Sequence, residues 1–301
     1  VTAFSFWLLL SFIQMPSAQE LGSLLTQVSP LQWAASIFAT AVSFWALGRY
    51  DLVAHRHLGT RFDERQIRGS GMAAIALSQI VGFGLVTGGF ARWRLLPGLR
   101  PVQAAQLTGL VTVTFLIALA AICAGAILIT PFSALAKWLA CLTIVGLVLM
   151  VGFSLRFPEI QLGRRRLRLP SLTAIFALGI WALVDVTAAG TALWILLPQG
   201  TDISWATMVP VYFLALRAAL VSSAPGGLGP FELTIYALLP GQNSGELIAA
   251  IIAYRLVYFA LPAIVSALVL AWPILLKSSA ANQDVVKTYP ASALPQNRLR
   301  S

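Results

Sequence analysis

Two acids and two arginines stand inside otherwise apolar runs: Asp185, Arg217, Glu232 and Arg255. Asp185 is the thirteenth residue of the 25-residue run 173–197, close to its middle. Arg217 lies within 205–221, Glu232 directly follows a Pro-Gly segment, and Arg255 is flanked by Tyr254 and Tyr258. A charged side chain at the centre of a membrane helix costs about 2.5–3.5 kcal/mol, so four cost roughly 10–14 kcal/mol, comparable with the whole stability of a typical protein. Such groups do not face lipid unpaired. They have two uses. One is mutual pairing, with Asp185 or Glu232 bridged to Arg217 or Arg255 so that helices are held together. The other is a polar cavity for a charged substrate, where guanidinium grips phosphate bidentately and carboxylate meets ammonium. Pairing in one conformational state is compatible with substrate binding in another.

Other chemistry is missing from the pattern. There is no phosphate-cradling Gly-Lys-Ser/Thr loop, and Gly82-x-Gly84 does not sit between a strand and a helix. His55 and His57 are spaced i, i+2 in a basic stretch, so on a helix they face different ways, and no metal site is expected. Cys123 and Cys141 lie in separate apolar runs without ligand-spaced neighbours and suit packing. No serine or cysteine nucleophile has a base partner. An enzyme is disfavoured, and no cofactor is expected.

The elements that must position the four charges are apolar helices. Of the 301 residues, 58% are hydrophobic and only 10% charged, with mean hydropathy +0.84, against about 25% charged in a soluble domain. Apolar blocks fall at 31–48, 72–91, 107–129, 138–155, 173–197, 205–221, 231–240 and 247–276. Several are long enough for a roughly 30 Å hydrocarbon core at about 1.5 Å per residue. Residues 4–15 are apolar but short and suit a truncated first helix, while 277–301 is polar and suits a disordered cytoplasmic tail. The run Ala188–Ala192 is small enough for close helix packing, and Tyr254 and Tyr258 suit an interfacial belt as well as ligand contact.

Seventeen of the 20 lysines and arginines cluster in 49–71, 92–106, 156–170 and the tail. The net charge of +10 is thereby explained by positive-inside sorting and not by nucleic-acid binding. Those four regions should all be cytoplasmic, in a bacterial inner membrane. Parity then forbids three full crossings between 49–71 and 156–170. The stretch 72–96 carries four glycines within 81–89 (Gly82, Gly84, Gly88, Gly89) and is expected to be a re-entrant hairpin. In the second half, 205–240 must likewise return, broken at Pro225, Gly226, Gly227 and Gly229. The expected fold is all-α: a polytopic membrane protein of about six spanning helices plus two re-entrant hairpins in an inverted repeat. It forms one transmembrane domain over 1–276, with half-repeats about 31–155 and 173–276. In transporters of that plan the binding site lies where the breaks meet.

The segments Ile80–Gly84 with Gly88, Gly89 and Arg92, Ser223–Glu232, and Ala253–Arg255 with Tyr258 resemble the transmembrane, flippase-like region of lysylphosphatidylglycerol synthases, the multiple peptide resistance factor family. Arg49-Tyr50-Asp51 is similar to that family too. The resemblance covers roughly 31–276 and implies a domain that moves aminoacyl-phosphatidylglycerol, or a related lipid, between leaflets. By motif position it marks Asp51, Arg92, Glu232 and Arg255 as the polar site residues. The family's cytosolic synthase domain has no counterpart here, so lipid synthesis is not implied. Membrane phospholipids are the expected partners, with no nucleic acid. A homo-oligomer, or a separate synthase bound to this chain, is left open. The rival functions are an ion-coupled carrier of small solutes that uses Asp185, and a non-transporting partner of a lipid-modifying enzyme.

Overall fold

The computed structural model of the chain describes residues 18–157, 159–162, 165–168, 170–198, 201–222, 225–239 and 244–271. The apolar stretch 4–15 and the tail 277–301 lie outside the described residues. Among the described residues ten helices follow in order: α1 Ala18–Gln27, α2 Pro30–Leu58, α3 Glu64–Val81, α4 Gly84–Leu95, α5 Pro101–Ile129, α6 Ala134–Arg156, α7 Leu172–Ile195, α8 Trp205–Ser222, α9 Pro230–Leu238 and α10, which begins at Ser244–Tyr254. Helix α10 passes through a π-helical turn at Arg255–Ala260 and stays helical to Ala271. Among the described residues six helices are long and apolar enough to cross a membrane: α2, α5, α6, α7, α8 and Gly245–Ala271 of α10. The protein is an all-α polytopic membrane protein.

The basic stretch 156–170 is not wholly irregular. It holds a short antiparallel hairpin, β1 Glu159–Leu162 with β2 Arg165–Arg168, in which Glu159 is opposite Arg168. The sixth crossing length belongs to α8, which sequence reasoning assigned to the inbound arm of a hairpin.

Local chemistry sets the ends of the first span. Ser29 caps α2, its backbone N–H donating to Gln32 Oε1 at 2.9 Å while its hydroxyl accepts from the Gln32 N–H at 3.2 Å. Pro30 follows in the first turn, and Gly59 stops the helix in the left-handed region at φ 67°. The helix therefore runs ten residues past the expected end at 48, so Arg49, Asp51, His55 and Arg56 are helical and not part of a loop.

Helices α2 and α7 form the centre of the molecule and run antiparallel. Gln32 Nε2 donates to the Ile195 carbonyl at 2.8 Å, and Ser36 Oγ to that of Ala192 at 3.0 Å. Ser43 Oγ donates to Asp185, Trp45 meets Trp181 edge-on at 5.1 Å, and Tyr50 packs with Leu178. Each step forward along α2 is matched by a step back along α7. Helices α5 and α6 are joined by only residues 130–133 and pack side by side, so they reverse direction once more. The chain between α2 and α7 thus contains one up-and-down pair. The other two helices of this stretch, α3 and α4, fold back on each other.

They do so as a helical hairpin. A Cβ built on Gly88 would lie 3.8 Å from the Ala74 carbonyl oxygen, and one on Gly84 4.0 Å from Ser78 Cβ, an antiparallel register. The discontinuity is narrower than expected. It is confined to Gly82 (φ 76°, ψ −167°) and Phe83, which takes left-handed φ 50°. Gly84 opens α4, and Gly88 and Gly89 sit inside it, where they allow close approach to Thr108 and Ala105 on α5. The second hairpin, α8 with α9, breaks as expected at Pro225–Gly229. Gly226, Gly227 and Gly229 all have positive φ there.

Candidate functional site

The two breaks meet. A Cβ placed on Gly226 would stand 3.6 Å from the carbonyl oxygen of Gln79, one turn before Gly82, and 3.7 Å from Arg255 Nη1. Three polar groups surround this junction or flank it, and each is assembled from helices distant in sequence.

The first group lies about two helical turns from the junction, at Gly71 on α3, between α2, α3, α4 and α5. Arg92 donates through Nη2 to Asp51 Oδ1 at 2.5 Å, through Nε to Oδ2 at 3.3 Å, and through Nη1 to Thr108 Oγ1 at 3.1 Å. The pair is completely enclosed, with Asp51 0% and Arg92 1% exposed. Sequence counting placed Arg92 in a cytoplasmic basic stretch; it is instead one of the largest fully buried side chains. The bidentate fork accounts for this, because a guanidinium satisfied by a carboxylate and a hydroxyl tolerates burial that an unpaired one does not. His55, one turn after Asp51, is also buried. Its Nδ1 lies 2.6 Å from Thr60 Oγ1, and its Nε2 lies 3.7 Å from Asp51 Oδ2 with no hydrogen-bond partner.

The second group is at the junction itself. Arg255 donates to Glu232 through both Nε, at 3.0 Å, and Nη2, and through Nη1 to the Gly226 carbonyl at 2.9 Å. Glu232 Oε2 accepts the Gly229 N–H at 2.8 Å, so the acid caps α9 while holding the arginine. Phe231 and Phe259 flank the guanidinium at 5.9 and 5.3 Å from their ring centroids. This pair is more open than the first, with 19% of the arginine and 10% of the glutamate side chain exposed.

The third group stands on the α2–α7 axis. Asp185 accepts hydrogen bonds from Ser43 Oγ and, at 3.4 Å, from the Tyr258 hydroxyl; Ser43 Oγ and Tyr258 Oη are themselves 2.9 Å apart. Tyr258 stacks on Tyr254 at 5.0 Å, and Tyr254 Oη meets Tyr212 Oη at 2.7 Å. Among the described residues no cation lies within salt-bridge distance of Asp185. Arg217, the remaining sequence candidate, is half-buried and reaches the thiol of Cys123, not an acid.

Of the six candidate residues, the structure brings together Asp51 with Arg92 and Glu232 with Arg255, and leaves Asp185 and Arg217 apart. Ser43, Gln79, Thr108 and Tyr212 carry no signal in the sequence, and His55 is considered there only as a metal ligand. Hydroxyl and amide side chains are common in apolar spans, and nothing in their spacing marks them. Tyr254 and Tyr258 face the core and not an interfacial belt.

No family model matches the chain. It is 28% identical over 238 residues to the uncharacterized protein slr0712 of Synechocystis sp., covering 73% of each chain. It is 30% identical over 133 residues to the inner membrane protein YbhN of Escherichia coli, covering 39% of each chain. Six apolar helices, together with likeness to a protein named for its membrane, place this chain among polytopic membrane proteins.

Proposed function

We propose that this chain is a phospholipid translocase of the bacterial inner membrane, with aminoacyl-phosphatidylglycerol or a related lipid as its substrate and no enzymatic activity of its own. One observation carries the proposal: two helix breaks packed against each other beside a partly exposed carboxylate–guanidinium pair, inside an otherwise apolar chain. The α3–α4 and α8–α9 hairpins enter from opposite leaflets, and their breaks are packed in protein at the edge of a wet groove, the settings in which irregular backbone is tolerated at that depth. The basic segments, including the β1–β2 hairpin, face the cytoplasm.

Arg255 and Glu232 supply the chemistry. A phosphodiester arriving at the junction competes with Glu232 for the Arg255 fork, and the Glu232 carboxylate so released meets the aminoacyl ammonium. Charge within the groove stays balanced through the exchange, which lowers the barrier to carrying a headgroup past hydrocarbon. Arg217, with no acid partner among the described residues, is a second phosphate contact along the same hairpin. The fully enclosed Asp51–Arg92 pair is too buried to meet a headgroup in this conformation and braces the first hairpin. The likeness to YbhN supports the inner membrane, while the lipid assignment rests on the motif resemblance and the site chemistry.

The test is leaflet exchange of fluorescent lysyl-phosphatidylglycerol in liposomes holding the wild type, Glu232→Gln or Arg255→Gln. Both substitutions should slow exchange severely. Undiminished exchange in both would remove these residues from the site and the lipid assignment with them.

A further inference from the structure

We propose that Asp185 binds and releases one proton as the two halves of the molecule move against each other, and that this proton drives transport. The coupling to transport rests on the translocase assignment; the proton site does not. The case begins with position. Ser43 is the fourteenth residue of α2 and Asp185 the fourteenth of α7, the first helix of each half. In the antiparallel α2–α7 contact these equivalent residues are hydrogen-bonded to each other. The acid therefore sits where the helices of the two halves cross, and any rocking of one half against the other changes its surroundings from both sides at once.

Chemistry narrows the occupant. Asp185 is 3% exposed and lies in the middle of an apolar span. A carboxylate there without a cation is not sustained; it neutralises. The charged and titratable groups around it are committed elsewhere or carry no positive charge. On α2, Tyr50 is neutral and donates to Thr114, and Asp51, two turns beyond Ser43, is held by Arg92. On α10, Arg255 is held by Glu232, leaving the Tyr254 and Tyr258 hydroxyls. From α8 come Tyr212 and Arg217, the latter at Cys123 on α5, and from α3 only the neutral Gln79, whose amide touches Tyr258. Helix α7 has no second ionisable residue.

A metal ion does not fit this arrangement. The Ser43 and Tyr258 hydroxyl oxygens and Asp185 Oδ1 lie within hydrogen-bonding distance of one another, with no gap for an ion among them. A proton needs no such volume, and hydroxyls suit it in both states. Each donates to the carboxylate and, after rotating, accepts from the carboxylic acid. The step balances simply: the carboxylate takes one proton from water on one side and returns it on the other.

Infrared difference spectra of the full chain in nanodiscs, recorded across a pH titration, test the site directly. The wild type should show a carboxylic-acid carbonyl band that is lost on raising the pH. That band should be absent in Asp185→Asn and restored with a shifted midpoint in Asp185→Glu, which keeps a carboxyl if the amide variant fails to fold. An unchanged band in Asp185→Asn, or a response to sodium without one to pH, would overturn the proposal. In liposomes, a pH gradient should accelerate lipid exchange by the wild type and leave Asp185→Asn indifferent to the gradient. If the band behaves as expected while no labelled lipid moves under any gradient, the proton site stands and the lipid assignment falls.

Discussion

Gly71→Ala probes how closely the first hairpin is seated on α2. A Cβ at position 71 would lie 2.5 Å from Asp51 Cγ and 2.6 Å from its Cβ and Oδ2. Ordinary carbon contacts need about 3.5–4.0 Å, and because Asp51 Cβ is itself in the way, no rotamer of the aspartate clears the clash. Two responses are open. Helices α2 and α3 part by about 1 Å, an overpacking response that costs about 1–3 kcal/mol. Alternatively the helices part and Asp51 also loses Arg92, adding a buried unpaired charge at about 3–5 kcal/mol. Parting alone is the cheaper. Replacing a helical glycine by alanine also gains about 0.5–1 kcal/mol from chain entropy, which would obscure the steric loss. Gly146→Ala supplies the correction. Gly146 lies within α6 with nothing within 4 Å of a built Cβ, so that variant reports the propensity gain alone. The difference between the two variants should therefore equal the overpacking cost, about 1–3 kcal/mol. Denaturant unfolding in micelles, followed by tryptophan fluorescence, measures it. If Gly71→Ala unfolds no earlier than Gly146→Ala, α3 is not seated on Asp51 and the buried Asp51–Arg92 group is misplaced.

Other perturbations follow from the same contacts. Asp51→Leu or Arg92→Met alone should each cost about 3–5 kcal/mol in unfolding, while the double variant recovers most of the loss, because the singles strand a buried charge and the double does not. Gly227→Ala should be worse than Gly226→Ala, since both add strain of about 1–2 kcal/mol at positive φ but only Gly227 would drive a methyl to 2.7 Å from Ala219 Cβ; the ranking of their unfolding midpoints checks it. Single cysteines at Asp202 and Arg166, on a background without Cys123 and Cys141, should label from opposite faces of sealed vesicles, Asp202→Cys from outside. Labelling from the same face would contradict the α2–α7 topology.

The spans and both breaks were legible because each rests on a local property. Long apolar runs define helices whatever surrounds them, and Pro225 to Gly229 cannot continue one. Parity of the basic segments indicates that 72–96 returns, and what the structure shows of that stretch is two antiparallel helices joined at Gly82 and Phe83. The chemistry of the first hairpin was less legible. Counting arginines by loop placed Arg92 with Arg94 and Arg100, but α4 is helical through Leu95 and turns Arg92 inward onto an acid 41 positions earlier. For the same reason α2 was expected to end at 48. A polar segment such as Arg49–His57 reads as loop unless one knows that Asp51 and His55 face a buried partner. The glycines of 81–89 share a composition but not a role, and only Gly82 and Phe83 form the break, a distinction that depends on what packs at each position.

The two ion pairs differ in a way that divides their roles. Buried pairs of this kind are often matched or exceeded in stability by apolar residues of similar volume, so neither is explained by stability alone. Asp51–Arg92 is enclosed on every side, and its guanidinium is saturated by carboxylate and Thr108, so nothing from outside can replace either partner without the hairpin leaving α2. Glu232–Arg255 is partly open, and its arginine also holds the Gly226 carbonyl at the break. An incoming anion that took the guanidinium would free Glu232 Oε1 and the Gly226 carbonyl and so loosen the junction between the two hairpins, while Oε2 still caps α9 at Gly229. Under the proposed function, substrate binding and loosening of the second break are one event, made at one side chain. A cavity that merely stored charge would need no such link between its arginine and the backbone of the break.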